Sequence, residues 1–469
     1  MMNLTQLVAS SLNQELLSVD DAVYERLAAD YQLMQQILKS ERSTYGFNTL
    51  VGHKDNEKID SDSYLNQLLK SHLIGFGEKF SKKEARFIIN AKLCSWMAGG
   101  TGVSVETFKK LHLNAVDLTF NPAIPKNCSY SSGDVIPATH LLQDFIDFNN
   151  NQDFANTDIM PFINGNFVQV GYAASLIDTI NKFWHLFIYG SLVSSLCFDA
   201  NNSNYHLNSN ASELNNRLLS FFKGINPNDK DTQDIITIRS LPQQLESFIK
   251  NSQSYFQVLE NYIVKPSGNP LFDSELCDSM SQASFLALDL TDSVLSMINS
   301  VKLFMVASIN RTTYMLSGKL PHIPADCSLS ASDLGLIQIP KLMMAIEERV
   351  SLSLPPASVY SAKSTSNGIE DLWNNGLICI NALEKILNEA INVLMIELYV
   401  QSYVSSNIEC IAVKIHKLHA TLNLESTIFS DDYAIDSRPS LEAFMDLVGT
   451  EYKKIIVNDF FQKNTLLHY

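Results

Sequence analysis

The chain has 469 residues, 46% hydrophobic and 18% charged, with a formal net charge of −16. That length and composition fit a globular protein of two or three domains, or one large helical domain with a smaller one before it, with a sizeable core, and exclude a disordered chain. The acidic balance, with no cluster of Lys and Arg, excludes the electrostatic footprint of a nucleic-acid or anionic-membrane binder. The seven cysteines are widely spaced and form no C-x-x-C pair, a reduced pattern with no zinc site. The N-terminal stretch has neither the basic segment nor the apolar core of a secretion signal. No uncharged apolar run approaches the ~18 residues of a membrane span. The nearest, 293–309, carries Lys302 and reads as a buried helix. A cytoplasmic location is expected.

No proline occurs in the first 120 residues, where glycine-bearing turns interrupt helical patterning. Tyr45-Gly46-Phe47-Asn48-Thr49 through Gly52 reads as a loop. Over 81–98, Ser81 followed by Glu84 gives a capping-box signature and Phe87, Ile88, Leu93 and Met97 give an apolar face. Gly99-Gly100 ends that pattern, so a helix is predicted.

Ser131-Ser132-Gly133-Asp134, followed by Pro137, carries the most chemistry. A serine between a small residue and a glycine can lose its hydroxyl while the glycine nitrogen closes onto the carbonyl two residues back. The product is a methylidene-imidazolone, a built-in electrophile. Gly133 suits the closing position because it has no Cβ to oppose a strained backbone. Taken alone, the same residues are ordinary turn chemistry.

From about residue 205 long helices dominate. The 241–264 stretch has a proline in its first turn and Leu245, Phe248, Ile249, Phe256, Leu259 and Ile263 near helical spacing. Helices are also predicted over 332–350 and 371–403, the latter with a wide stripe from Leu377 to Leu398. The predicted architecture is mainly α. A smaller N-terminal helical domain (1–205) carries the serine-glycine loop, and a long-helix bundle (206–469) supplies oligomerisation surfaces.

Several segments, in order, resemble the aromatic amino acid ammonia-lyase family, which includes histidine, phenylalanine and tyrosine ammonia-lyases and related aminomutases. Tyr45 to Gly52 is similar to the family's Y-G-x-N-T-x-x-G, whose tyrosine is the general base. Ser71-His72 stands where the family has its selectivity pair, in the form of the histidine-specific branch. Ala98-Gly99-Gly100-Thr101-Gly102-Val103 resembles G-x-S-G-V with Thr101 for serine, and Phe162-Ile163-Asn164-Gly165 resembles the L-N-G beside the cofactor. Gln233 to Gln243 is similar to Q-D-x-Y-x-[LI]-R-x-x-P-Q, whose arginine, here Arg239, clamps the substrate carboxylate. Asn269-Pro270-Leu271 follows, and Glu370 stands at the family's acidic or amide position. One such match arises easily by chance; an ordered set does not.

The resemblance implies an L-aspartase/fumarase-like long-helix bundle, homotetrameric, with each site built from several subunits. It implies a methylidene-imidazolone formed from Ser131-Ser132-Gly133 and no external cofactor, metal, nucleic acid or membrane. Tyr45 would be the base, in a site that favours its phenolate. Arg239 would offer a planar fork to the carboxylate of an aromatic amino acid. Asn164, Gln233, Ser71, His72 and Glu370 would line the substrate pocket, the last two suiting an imidazole and so favouring histidine. Outside this context Tyr45 reads as a packed loop aromatic, His72 as a satisfied helical histidine and Arg239 as a surface ion-pair partner.

Two departures stand out. The second tyrosine of the family's Q-D-x-Y segment is Ile236, and the G-N-F segment expected near Cys277 to Ser281 is not recognisable. Losing a catalytic hydroxyl commonly costs orders of magnitude in rate. Two alternatives to an ammonia-lyase therefore stand: an aromatic amino acid 2,3-aminomutase, or a degraded member that keeps the scaffold as a binding or structural protein.

Overall fold

A computed structural model describes residues 3–467 except 41, 60–62, 151–153, 207–208, 226–228, 357–358, 361, 423, 425–439 and 458. Its helices, in order, are α1 (Leu4–Asn13), α2 (Asp21–Lys39), α3 (Tyr64–His72), α4 (Lys82–Met97), α5 (Val105–Asn114), α6 (Val135–Phe148), α7 (Ile159–Ile163), α8 (Phe167–Ser175) and α9 (Ile177–Cys197). Then come α10 (Glu213–Ile225), α11 (Ile236–Arg239), α12 (Leu241–Ile263), α13 (Leu288–Met315), α14 (Ile339–Ser353), α15 (Gly376–Asn407), α16 (Glu409–Leu422), α17 (Leu441–Val457) and α18 (Asp459–Lys463). Between α12 and α13 lies a hairpin, β1 (Leu271–Asp273) and β2 (Asp278–Met280), with Leu271 opposite Met280. The predicted mainly α fold of long helices is the one observed.

The start of α4 follows from its capping box. Ser81 Oγ accepts from the Glu84 amide and the Glu84 carboxylate accepts from the Ser81 amide, at 3.3 and 2.6 Å, satisfying two of the first-turn donors. The helix is buried from Glu84 to Met97, not only along the apolar face predicted for it. α8 covers it at close range because position 171 is glycine; a Cβ there would lie 2.5 Å from Ile88 Cα.

Two predicted starts move for identifiable reasons. α14 begins at Ile339 rather than 332, with Pro340 in its first turn, where a missing N–H costs nothing. α15 begins at Gly376 and ends at Asn407, instead of 371–403. Asn375 is left-handed, at φ 51. The buried Asn374 donates to Ala287 O at 2.7 Å and Gln169 Oε1 at 3.2 Å. Both keep 371–375 out of the helix.

α13 packs against α12, α14 and α15, and α9 packs against α15. From Val393 to Ser405 α15 is buried on every side, so its polar side chains need partners inside the protein. Glu397, fully buried, accepts from Arg311 Nε and Nη2 at 2.8 and 2.9 Å. Ser194 and Ser308 hydroxyls complete its shell at 2.7 and 2.6 Å. α13 is long and apolar enough to cross a membrane, but 61% of its apolar window is buried, matching the buried helix predicted around Lys302.

Arg311→Met leaves Glu397 charged and unpaired in the bundle. Chemical denaturation should show a loss of about 3–5 kcal/mol, much of it recovered in an Arg311→Met/Glu397→Leu double variant, since an apolar pair of similar volume replaces a buried ion pair with little loss. Equal destabilisation by the single and double variants would show that the pair's packing, not its charge, matters.

Candidate active site

The Ser131-Ser132-Gly133-Asp134 segment lies at the meeting point of several helix starts. α6 begins directly after it at Val135, α8 follows Asn164-Gly165-Asn166, and α15 begins at Gly376. Ser131, Gly133 and Asp134 have φ of 67, 80 and 49. L-residues adopt that left-handed region only when surroundings enforce it. The Ser131 amide donates to Ser129 Oγ at 2.9 Å, and Ser131 Oγ accepts from the Leu377 amide in the first turn of α15 at 3.0 Å. The Asn375 amide donates to Tyr130 O at 3.1 Å and the Gly165 amide to Gly133 O at 3.3 Å. A Cβ at Gly133 would sit 3.3 Å from Asn164 Nδ2, so this close approach requires glycine. Asp134 accepts from Ser129 Oγ at 2.7 Å and Gln169 Nε2 at 3.4 Å. Burial pushes its carboxyl up to about 7 despite these bonds.

Ser132 is half-buried and opens into a cavity of about 700 Å³. Its walls include Tyr45, Ser71, His72, Asn164 and Glu370, bringing together five sequence-predicted residues around the serine. The Tyr45 hydroxyl accepts from the Gly52 amide at 3.0 Å. Burial nevertheless raises its pKa; the Gly52 bond opposes this and the Glu370 and Asp55 charges add to it. The expected bias toward the phenolate is therefore reversed in the single chain: desolvation outweighs the one N–H that stabilises the anion.

His72 ends α3. Its Nδ1 lies 3.0 Å from Leu68 O and 2.7 Å from Ser71 Oγ. A carbonyl only accepts, so the hydrogen-bond network assigns the proton to Nδ1 and leaves Nε2 as an acceptor. Burial lowers the imidazole's pKa, which favours this neutral form. Asn164 is buried, and its Oδ1 has no hydrogen-bond partner among the described residues. Glu370 Oε2 accepts from Thr365 Oγ1 at 2.6 Å and from the Tyr130 hydroxyl.

Gln233 and Arg239 lie elsewhere in the chain. Among the described residues, the lining of this cavity includes neither. They face each other at α11, Arg239 Nη1 donating to Gln233 Oε1 at 2.5 Å. Ile236, on the same short helix, is 61% exposed. The stretch near Cys277 to Ser281, where the family has G-N-F, holds the second strand of the β1–β2 hairpin.

Two residues near the loop were not singled out from the sequence. Lys92 is fully buried on α4; its Nζ donates to Asn164 O at 3.0 Å and lies 4.3 Å from the Phe167 ring centroid. Burial lowers its pKa well below the usual lysine value. A cation inside an apolar helical pattern was a legible signal. Tyr130 lines the cavity beside Ser131, and its position directly before the serine-glycine motif was the available clue.

The sequence profile of the aromatic amino acid lyase family matches residues 2–146 and 150–407. Histidine ammonia-lyase of Vibrio cholerae is 30% identical over 144 residues, 30% of this chain; the match spans 28% of that relative's length. Among solved structures, phenylalanine aminomutase of Pantoea agglomerans superposes with a TM-score of 0.82 at 15% identity, covering 99% of this chain and 98% of that one. Histidine ammonia-lyase of Trypanosoma cruzi gives 0.80 at 17% identity, covering 99% and 95%. At such identities the superpositions show a shared fold, and the profile match over most of the chain shows the family: the chain belongs to the aromatic amino acid lyases.

Proposed function

We propose that the protein is an ammonia-lyase that eliminates ammonia from an aromatic L-amino acid, histidine before phenylalanine or tyrosine, using a methylidene-imidazolone made from Ser131-Ser132-Gly133. One observation carries this reading: Ser132, between residues already held in left-handed backbone, opens into a cavity walled by Tyr45, His72, Asn164 and Glu370. The residues fit the ring. Gly133 leaves room against Asn164, whose Nδ2 is the nearest group to it and can donate to a ring that bears only acceptors. The helix starts nearby place partial positive charge around the loop. When formed, the ring supplies an electron-poor centre that draws electron density from the substrate.

The chain's own residues divide the remaining work. Tyr45 takes the β-proton at its phenolic oxygen, which the Gly52 amide holds in place. His72, neutral and with Nε2 as acceptor, and Glu370 receive an N–H-bearing ring, with Ser71 fixing the imidazole. Asn164 accepts from the substrate amine. Arg239, oriented by Gln233, grips the carboxylate from a neighbouring subunit of a homotetramer, since its own chain leaves it away from the cavity.

A second reading, aminomutase or degraded scaffold, draws on Ile236, which leaves the partner-facing half of the site without a second phenol. Ile236→Tyr separates the two. A large gain in ammonia release would mark the native pocket as impaired for elimination, and an unchanged rate would mean that protons travel another way.

Intact mass should fall below the sequence mass by two waters, one from the Ser131 carbonyl and one from the Ser132 hydroxyl, with Ser132→Ala at its unmodified mass. A wild-type mass equal to the sequence mass rules out the ring.

Only the Tyr45 phenolate accepts a proton, and burial holds the phenol above its ordinary value of 10.0. kcat/KM should therefore climb about tenfold per pH unit from neutral pH toward that raised pKa. Tyr45→Phe should lower it by about a hundredfold or more. A profile that stays flat into the alkaline range would take the base's role from Tyr45.

A further inference from the structure

Tyr130 is fixed at three points, all on the 365–375 segment. Its carbonyl accepts from the Asn375 amide at 3.1 Å. Its ring lies against Trp373, centroids 4.9 Å apart. Its hydroxyl meets Thr365 Oγ1 at 2.9 Å and donates to Glu370 Oε2. Thr365 Oγ1 donates to the same Oε2 at 2.6 Å, and the Thr365 amide donates to Glu370 O at 2.9 Å. One carboxylate oxygen thus receives two hydroxyls, while Oε1 has no protein hydrogen bond among the described residues.

We propose that Tyr130 is a positioning residue that sets substrate specificity: with Thr365 it saturates Oε2 of Glu370, so that Oε1 is presented to an N–H group on the substrate's ring. This rests on the aromatic amino acid reading of the cavity but not on elimination taking place there. An ionised carboxylate is an acceptor only. A Glu370 free to rotate would divide its two oxygens among water, hydroxyls and ligand. Held by one oxygen, it has a single acceptor left, at a fixed place. Burial first, then the bond to Glu370, push the Tyr130 phenol up to about 12, so it remains a donor at physiological pH. A ring bearing N–H meets Oε1 with a charge-assisted hydrogen bond; a phenyl ring leaves that oxygen desolvated and unpaired, a difference worth about tenfold or more in affinity. Tyr130 also adjoins Ser131, so the residue that orients Glu370 is covalently next to the ring-forming segment.

Tyr130→Phe keeps the ring against Trp373 and removes only the hydroxyl. Calorimetric titration of the full-length wild type and this variant with L-histidine and L-phenylalanine, beside ammonia release, intact mass and thermal melting, tests the proposal. Wild type should bind L-histidine more tightly, and Tyr130→Phe should weaken L-histidine by about tenfold while leaving L-phenylalanine within about twofold. Melting and intact mass should match wild type. Thr365→Val, at an exposed position, should weaken L-histidine selectively too, and it carries the test if Tyr130→Phe lowers the melting temperature. An equal loss for both amino acids, no loss for either, or a wild type that binds L-phenylalanine at least as tightly overturns the proposal. Selective binding without ammonia release sinks the lyase reading and leaves the role of Tyr130 standing.

Discussion

The hydrogen bond from the Leu377 amide to Ser131 Oγ joins the serine-glycine loop to the bundle. Left-handed backbone at a non-glycine residue costs of order 1–3 kcal/mol, and Ser131, Asp134 and Asn375 all adopt it around this contact. Such a cluster persists only where the surroundings over-determine it. The first turn of α15 does so in part, because its amides lack helical partners and must donate outward. Asn375 donates to Tyr130 and Leu377 to Ser131. Gly376 fits because a Cβ there would lie 2.3 Å from Gln169 Oε1. The same helix runs on to Glu397, whose ion pair with Arg311 fixes it against α13. One rigid element therefore carries the constraint from the bundle core to the loop.

That arrangement sets two opposing electrostatic effects on the cavity. Helix N-termini favour negative charge, each by about 0.3–1 kcal/mol at the surface and up to ~2 when partly buried. Burial disfavours charge of either sign. At Tyr45 and Asp134 desolvation is the larger effect, holding both toward their neutral forms. At Lys92 burial acts the other way on a cation, making an uncharged amine more accessible. The cavity wall carries Asp55, Glu370 and Asp371 but, among the described residues, no Lys or Arg. On the proposed reading, the Arg239 guanidinium of a neighbouring subunit is the missing positive charge, pairing with the substrate carboxylate and offsetting only part of the desolvation at Tyr45.

Much of this was legible because local rules fix local structure. The Ser81–Glu84 capping box starts α4 and Pro242 stands in the first turn of α12; the ordered motifs alone point to Ser132, Tyr45, His72, Asn164 and Glu370. What the sequence did not disclose depends on distant contacts. Asp371 looks like a helix start, but Asn374 reaches Ala287 and Gln169, far away in sequence, and delays α15 to Gly376. The strands of the hairpin are three residues each, too short for alternation to register. Tyr45's raised pKa reflects burial that no spacing reveals. The order of motifs likewise does not say whether Arg239 meets Ser132 within one chain or across two.

On the proposed reading, a site divided between subunits sets Ile236 apart from the loop. Within one chain, the Ser131–Asp134 loop is already shaped by contacts from Ser129, Gly165, Gln169, Asn375 and Leu377. Ile236, Gln233 and Arg239 take no part in them. On the proposed reading, formation of the electrophile is then an event of folding, whereas gripping and orienting the substrate is an event of assembly. A substitution on α11 alters the second without touching the first. The tyrosine position of the family could therefore become isoleucine while the loop, its left-handed residues and its glycine stayed intact. On the proposed reading, an intact loop beside an altered α11 fits a working site better than decay of the scaffold, since the left-handed backbone at Ser131 and Asp134 costs free energy that decay would relieve.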